Sequence, residues 1–249
     1  MTTKTPDDFV PTNKSAVALE AGDMCIAATY AVGEPDIRRN SGEGRVLVYD
    51  KDLTLKGALW TNQTGLVMGV QYCAKTQTLF VSDASSKTIT RFSKAGELLE
   101  PFPDMQGKPF GAMACTHEGG LVVGEHIKGD KFPLIGGGEI YTFDGSGKEV
   151  SHHAAEHDPG KFGFHGVTSL ALSLDGDVVT YMSETGQRVM RYDIVNDCQL
   201  EDAFSLSGDT VLAYMCQTAD NRLVISTVYG AALYSRSGDV LKEYDIPKE

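Results

Sequence analysis

The chain has 249 residues, of which 41% are hydrophobic, and carries a formal net charge of −12 at pH 7. This acidity, with no basic patch to offset it, excludes nucleic acid and anionic membranes as expected partners. The first 13 residues are polar, and no run of about 18 apolar residues follows, so neither a secretory leader nor a membrane-spanning segment is predicted. We expect a cytoplasmic protein that forms one domain over residues 1–249.

A repeated pattern of short apolar strands and polar turns runs along the sequence. Two clear copies are Gly69–Phe92 and Ala112–Phe143, each with three apolar runs separated by turn residues. The first strand of a copy recurs near positions 68, 110, 165 and 210. A period of roughly 40 to 55 residues is the spacing of four antiparallel strands in a β-propeller blade.

The repeats therefore predict an all-β fold, a β-propeller of four-stranded antiparallel blades with almost no helix. The copies span residues 14–61, 68–103, 110–155, 165–206 and 210–246, which makes five blades, and the long first copy leaves room for a sixth. Short turns rich in Gly, Asp and Asn predict tight hairpins on one face. The long segments 31–44, 126–138 and 154–164 belong to the other face, where we expect a ligand.

The five cysteines follow the repeat rather than a metal-binding or disulfide pattern. Cys73, Cys115 and Cys216 occupy equivalent positions near the end of the first strand of a copy, and Cys25 lies in a strand of the first copy. No CxxC pair occurs, and a free cysteine behaves as a small buried hydrophobe. We expect these residues to pack in the core as reduced thiols.

Acidic residues end the second strand of three successive copies, at Asp83, Glu125 and Glu184. In a propeller this position lies at the mouth of the central channel. The three carboxylates therefore predict an arc that can bind a hard cation or act as general acid and base. The alternative is a solvated ring of acids paired with neighbouring bases, namely Lys87, Lys128 and Arg188.

Two histidines fall near the same mouth. His126 follows Glu125 directly, and His165 begins the first strand of the next copy, so we expect both to face one quadrant of the channel. Imidazoles among carboxylates suit zinc or manganese, whereas an all-oxygen set suits calcium. A metal-bound water can attack a carbonyl, and without metal either histidine can transfer a proton itself. The alternative is that both are surface loop residues with no common partner.

Aromatic residues and one arginine complete the predicted pocket. Aromatic side chains around a few polar groups are typical of a small-molecule site, and Arg188 is a candidate anion anchor. The rings can equally fill the channel, and packing is the favoured role for Trp60. Phosphate-loop, GxSxG and HExxH motifs are missing, so no nucleotide or organic cofactor is indicated. The aromatic residues are Tyr30, Trp60, Phe110, Phe164 and Tyr229.

The strand patterns Leu79–Phe92, Val179–Tyr192 and Leu223–Tyr234 resemble those of gluconolactonase-like, senescence-marker-like and NHL-repeat β-propellers. The lactonase resemblance implies a divalent cation at the channel mouth and hydrolysis of a lactone or related ester. Propellers of the NHL-repeat kind include lyases with histidine-bound zinc and non-catalytic binding platforms. Only Asp83 and Glu184 carry over as inner-edge acids, because the glutamate and asparagine ligands of the lactonase group have no match in this chain.

The sequence thus predicts an enzyme that acts on a small molecule at the loop-rich mouth of a propeller. The expected reaction is hydrolysis of a lactone or ester, with calcium, zinc or manganese or with a histidine–carboxylate pair. Asp83, Glu125, Glu184, His126 and His165 are the predicted metal ligands, and His165, Glu125 and His126 the predicted catalytic groups. Two alternatives stay open: a non-catalytic propeller that binds a ligand or a protein, and a metal-independent lyase or isomerase that uses His165 with Glu125.

Overall fold

The computed structural model of the protein describes residues 16–31, 42–63, 67–127, 137–158, 165–183, 186–207, 213–218, 220–227 and 230–245. These ranges contain twenty β-strands and a 3₁₀ turn at Pro103–Met105. The predicted all-β fold is confirmed. Within the same ranges, no helix is long and apolar enough to cross a membrane.

Five antiparallel sheets follow one another along the chain. The first contains β1 (Met24–Ala31), β2 (Gly42–Tyr49) and β3 (Leu55–Trp60). The second contains β4 (Val67–Cys73), β5 (Thr78–Asp83), β6 (Thr88–Ser93) and β7 (Leu98–Leu99). The third contains β8 (Phe110–Cys115), β9 (Leu121–Ile127), β10 (Ile140–Phe143) and β11 (Glu149–His153), and β12 (His165–Gly166) pairs with the end of β9. The fourth contains β13 (Ser169–Leu172), β14 (Val178–Met182), β15 (Arg188–Asp193) and β16 (Cys198–Ser205). The fifth contains β17 (Tyr214–Gln217), β18 (Leu223–Thr227), β19 (Gly230–Tyr234) and β20 (Val240–Asp245).

These sheets are the blades of a five-bladed β-propeller, as the repeat predicts. In the last four blades the strands pair in chain order, and the innermost strands β4, β8, β13 and β17 pack side by side around the centre. In the first blade, β1 packs against β4. The long first copy of the repeat forms one blade, with three strands in the part of the chain that the structure describes. Within those described residues the first copy does not form a sixth blade.

The hydrophobic core lies between the blades. The second strand of a blade is covered on both faces by its neighbours, and all six residues of β5 are accordingly buried. At the junction of the second and third blades, Phe110 packs edge-on against Tyr141 with ring centroids 5.3 Å apart. Burial of this apolar and aromatic surface holds adjacent blades together.

Buried serine hydroxyls add polar links at the inner strands. Ser82 on β5 accepts a hydrogen bond from the N–H of Gly69 at 2.9 Å and donates one to the C=O of Gly111 at 2.7 Å. In the fourth blade, Ser183 donates to the C=O of Gly166 at 2.9 Å. The Ser82 hydroxyl therefore joins the second blade to β8 of the third.

The cysteines only partly follow the sequence prediction. All five are free thiols, as expected. Cys73 is buried in the core, and Cys115 packs against the same cluster. The prediction is wrong for Cys216, which is exposed because the end of β17 borders the central cavity instead of another blade.

Candidate functional site

One cavity of the described residues is the central channel, with a volume of about 530 Å³. Its wall is built by the four innermost strands β4, β8, β13 and β17 and by the turns that follow them. Hydrogen-bonding side chains such as Gln71, Thr168 and Ser169 alternate with apolar ones such as Met113 and Leu170. The strand periodicity explains this mixture, because the wall residues come from both faces of each inner strand.

The channel wall contains no Asp, Glu, Lys or Arg side chain among the described residues. Cys115 and Cys216 contribute thiols to the wall. Burial raises the pKa of the Cys115 thiol, which therefore stays protonated at neutral pH. At one end His117 also borders the channel, and its Nε2 donates a hydrogen bond to the C=O of Leu174. The described wall is consequently polar and lacks carboxylate, ammonium and guanidinium groups.

The predicted acids lie at strand ends, outside the channel wall. Asp83 is fully buried, and its Oδ1 accepts the N–H of Ser86 at 2.9 Å. Glu125 is 5% exposed, and its Oε2 accepts three backbone N–H groups, from Gly137 at 2.8 Å, Gly138 at 3.1 Å and Glu139 at 3.4 Å. Burial raises the pKa of Glu125, and these N–H donors oppose the rise. Both carboxylates anchor the loops that follow their strands.

The third acid, Glu184, lies outside the described residues, which include its neighbour Ser183. Leu79, Leu121 and Val179 are equivalent, because each pairs with the aromatic residue of the third strand of its blade. Four residues further on, this alignment places Ser183 at the position of Asp83 and Glu125.

His126 is completely buried, and neither of its ring nitrogens has a hydrogen-bond partner among the described residues. Burial without a partner disfavours the charged imidazolium and lowers the pKa of His126 to about 4. His126 and Glu125 are successive residues of β9, so their side chains leave opposite faces of the strand. The structure thus does not bring this imidazole and this carboxylate together.

His165 pairs with Ile127, and its neighbour Gly166 pairs with His126. The backbones of the two histidines therefore lie on adjacent strands, one residue out of register. The side chain of His165 lies outside the described residues, as do those of Tyr30, Phe164 and Tyr229. The predicted contacts of these four side chains stay predictions.

The other predicted pocket residues have structural partners. The Arg188 guanidinium binds both carboxylate oxygens of Asp202, at 2.7 and 2.9 Å, and Glu156 at 2.9 Å. These carboxylates raise the pKa of Arg188 and neutralise its charge, so it is not an unoccupied anion anchor. Phe110 is fully buried in the core, and Trp60 is 7% exposed with the Arg45 guanidinium 5.4 Å from its ring centroid.

Among the described residues, no group of three or more His, Cys, Asp and Glu side chains is arranged to hold a metal ion. Glu184 and the side chain of His165 are outside those residues, so the site for calcium, zinc or manganese stays a prediction. Sequence reasoning missed the channel wall, because its residues are ordinary inner-strand residues without a motif. The repeat itself was the available signal, since it specifies which strand of each blade is innermost.

Comparisons with known proteins identify the fold. No protein-family model matches the chain, and no curated protein matches its sequence. The structure of streptogramin B lyase is similar, with a TM-score of 0.51 and 11% identity, over 90% of this chain and 59% of that chain. A protein of unknown function from Bacteroides caccae has a TM-score of 0.52 and 12% identity, over 88% of this chain and 73% of that chain.

Hydrazine synthase of Kuenenia stuttgartiensis has a TM-score of 0.51 and 14% identity, over 72% of this chain and 49% of that chain. This chain therefore spans about three fifths of the length of the lyase and half that of the synthase. At such low identities the likeness establishes architecture and not chemistry. The chain is a β-propeller, and its resemblance to gluconolactonase-like propellers stays a prediction.

Proposed function

We propose that the protein binds a small, uncharged organic molecule in the central channel. The observation that carries this proposal is a cavity of about 530 Å³ whose described wall has no Asp, Glu, Lys or Arg side chain. Pockets for small molecules typically measure about 300 to 1,000 Å³ and combine apolar walls with a few polar groups. The channel meets both conditions.

The chemistry of the wall selects the class of ligand. A charged molecule would lose its hydration in the channel without gaining an ion-pair partner, which is strongly unfavourable. An uncharged molecule can exchange hydrogen bonds with side chains such as Gln71 and Thr168 and bury apolar surface against Met68, Met113 and Met215. Flexible methionines adapt to several shapes, so we expect a range of related ligands.

Nile red and 1-anilinonaphthalene-8-sulfonate are a suitable probe pair, since both fluoresce in apolar sites and only the second is an anion. We expect saturable binding of Nile red near one molecule per chain and at least tenfold weaker binding of the anion. Ala114→Phe, which fills part of the channel, should abolish the Nile red site, whereas Ala114→Ser should retain it. Equal Nile red binding by a folded Ala114→Phe variant would overturn the proposal.

A second candidate function is enzymatic, at the loop-rich mouth. The observation that favours it is the buried imidazole of His126, which has no hydrogen-bond partner among the described residues and is neutral at pH 7. A substrate atom that bonded to this ring would compensate for its burial, and the imidazole could then move a proton in hydrolysis of a lactone or ester, or in an elimination. Similarity in fold to streptogramin B lyase is compatible with the elimination.

Lactone hydrolysis with a bound cation has weaker support, because Asp83 and Glu125 already accept backbone N–H groups. The test is hydrolysis of δ-valerolactone with and without a chelator, in the wild type and in His126→Leu. Activity that survives the chelator and is lost in His126→Leu would support proton transfer by His126. Activity that the chelator removes would favour the cation, and no activity in either condition would reject this candidate.

A further inference from the structure

A row of hydrogen bonds joins Ser151, His153 and Asp197 across the junction of the third and fourth blades. Ser151 Oγ lies 2.9 Å from His153 Nε2, and His153 Nδ1 lies 2.6 Å from Asp197 Oδ1. Ser151 and His153 are two residues apart on β11, so their side chains share one face of that strand. Asp197 comes from the turn between β15 and β16 of the next blade.

The direction of each hydrogen bond follows from the chemistry of its partners. Asp197 is a carboxylate that only accepts, so His153 Nδ1 must carry the proton and donate it. In neutral His153 the Nε2 atom then bears the lone pair, and the Ser151 hydroxyl donates to it. Thr142 Oγ1, at 2.6 Å from Ser151 Oγ, is left to donate to the serine oxygen.

The carboxylate and the imidazole are held in place from both blades. Tyr192 donates its hydroxyl proton to Asp197 Oδ1 at 2.9 Å. The hydrogen bonds from His153 and Tyr192 lower the pKa of Asp197, so this residue is ionised at neutral pH. The His153 ring, 5% exposed, also packs against the Tyr192 ring at a centroid distance of 5.5 Å. The imidazole cannot rotate freely without breaking these contacts.

The members of the row differ in exposure, and Asp197 has the most exposed side chain. Ser151 is half-buried, whereas the base behind it is buried. Its strand, β11, is last in the order of its sheet, so within the described residues one edge of β11 has no paired strand. On such an edge every second N–H group points outward, and one that is not already bonded can donate to an oxyanion that forms beside Ser151.

We propose that Ser151 is an activated nucleophile for small esters, with His153 as general base and Asp197 as the residue that orients His153. A serine hydroxyl bonded to a base that a third group orients is the arrangement that nucleophilic catalysis needs, and it is recognised by geometry rather than by fold. The site is separate from the central channel and does not depend on the proposed ligand there.

The reaction proceeds in two balanced steps. Ser151 Oγ attacks the ester carbonyl carbon while His153 Nε2 takes the hydroxyl proton, and the same proton then passes to the departing alcohol as its C–O bond breaks. Water next attacks the acyl-serine, gives a proton to His153 Nε2 and forms a bond to the carbonyl carbon. His153 returns that proton to Ser151 Oγ, which leaves as the hydroxyl and releases a carboxylic acid.

A fluorophosphonate probe tests the nucleophile directly, because serine displaces fluoride and stays covalently bound to phosphorus. We expect the purified full chain to gain one adduct, which mass spectrometry of tryptic peptides places on Ser151. An adduct elsewhere, or none on the folded protein under conditions that label a serine esterase, would overturn the proposal. This measurement uses the unmodified chain and so does not depend on the folding of a variant.

Variants separate a catalytic row from a merely structural one. Ser151→Ala should lose the adduct and the hydrolysis of p-nitrophenyl acetate, and His153→Gln and Asp197→Asn should each slow labelling about 100-fold or more. The matched control is Ser237→Ala, since Ser237 bonds to Asp239 but to no imidazole. If Asp197→Asn lowered the melting temperature but left the labelling rate of the folded protein unchanged, the row would be structural and the proposal wrong.

Discussion

Gly111 on β8 leaves room for the imidazole of His126 on β9. A Cβ atom placed on Gly111 would lie 2.3 Å from His126 Nε2 and 2.7 Å from its Cδ2, far inside van der Waals contact. The ring is completely buried, so it cannot swing into solvent to make space. The packing of β8 beside β9 therefore requires glycine at position 111, because a larger residue would clash with the buried ring of His126.

Gly111→Ala should destabilise the protein by about 1 to 3 kcal/mol, because overpacking a filled interior forces side chains or backbone to shift. The measurement is the free energy of unfolding in urea. Gly145→Ala is the matched control, since a Cβ there would meet its nearest atom at an ordinary 3.4 Å. Equal stability of the two variants would contradict the close contact at Gly111.

The free energy of unfolding of the wild type should fall as the pH drops from about 6.5 to about 4, because His126 takes up a proton on unfolding. Burial lowers the pKa of this residue from 6.5 to about 4, so the folded state resists a proton that the unfolded state accepts. The stabilisation is present above pH 6.5 and is lost on acidification, and the full difference corresponds to about 3 kcal/mol.

Replacement of the ring tests this dependence. His126→Leu should remove it, so the difference in unfolding free energy between variant and wild type should change by about 3 kcal/mol over the same pH range. His152→Leu, at an exposed position on β11, is the control. A difference between His126→Leu and wild type that stays constant with pH would show that His126 is not the buried neutral group described above.

Ser82→Ala should destabilise the protein more than Ser183→Ala does. The Ser82 hydroxyl satisfies both the N–H of Gly69 and the C=O of Gly111, whereas among the described residues the Ser183 hydroxyl bonds to the C=O of Gly166 alone. Each buried backbone group left without a partner costs about 1 to 3 kcal/mol. Urea denaturation of both variants checks the order, and a larger loss in Ser183→Ala would contradict the bridging role of Ser82.

Arg188→Met should lower stability modestly, by about 1 kcal/mol, and leave ligand binding unchanged. The guanidinium side chain is 36% exposed, so solvent and salt screen its pairs with Asp202 and Glu156. The expected loss should shrink at high salt. Titration with Nile red is the second measurement. A weaker affinity for Nile red in Arg188→Met would show that Arg188 contributes to ligand binding.

The repeat shows which features of the fold can be predicted from local sequence patterns. Alternation of apolar residues and the spacing of turns are local, so they identified the blades and the innermost strands. Strand register is not local, and the equivalence of Ser183 with Asp83 and Glu125 became visible only when each strand was aligned with its partner. The separation of Glu125 from His126 across β9 has a different, local origin, because successive side chains of a strand leave opposite faces.

By itself, the sequence determined that this chain is an all-β propeller, because one short pattern of apolar strands and turn residues is repeated along it. Tertiary structure decided which side chains meet. The wall of the channel is assembled from four separate blades, and Asp197 reaches His153 from 44 residues away along the chain. Such contacts depend on how blades pack against one another, and no pattern within a single repeat records that packing.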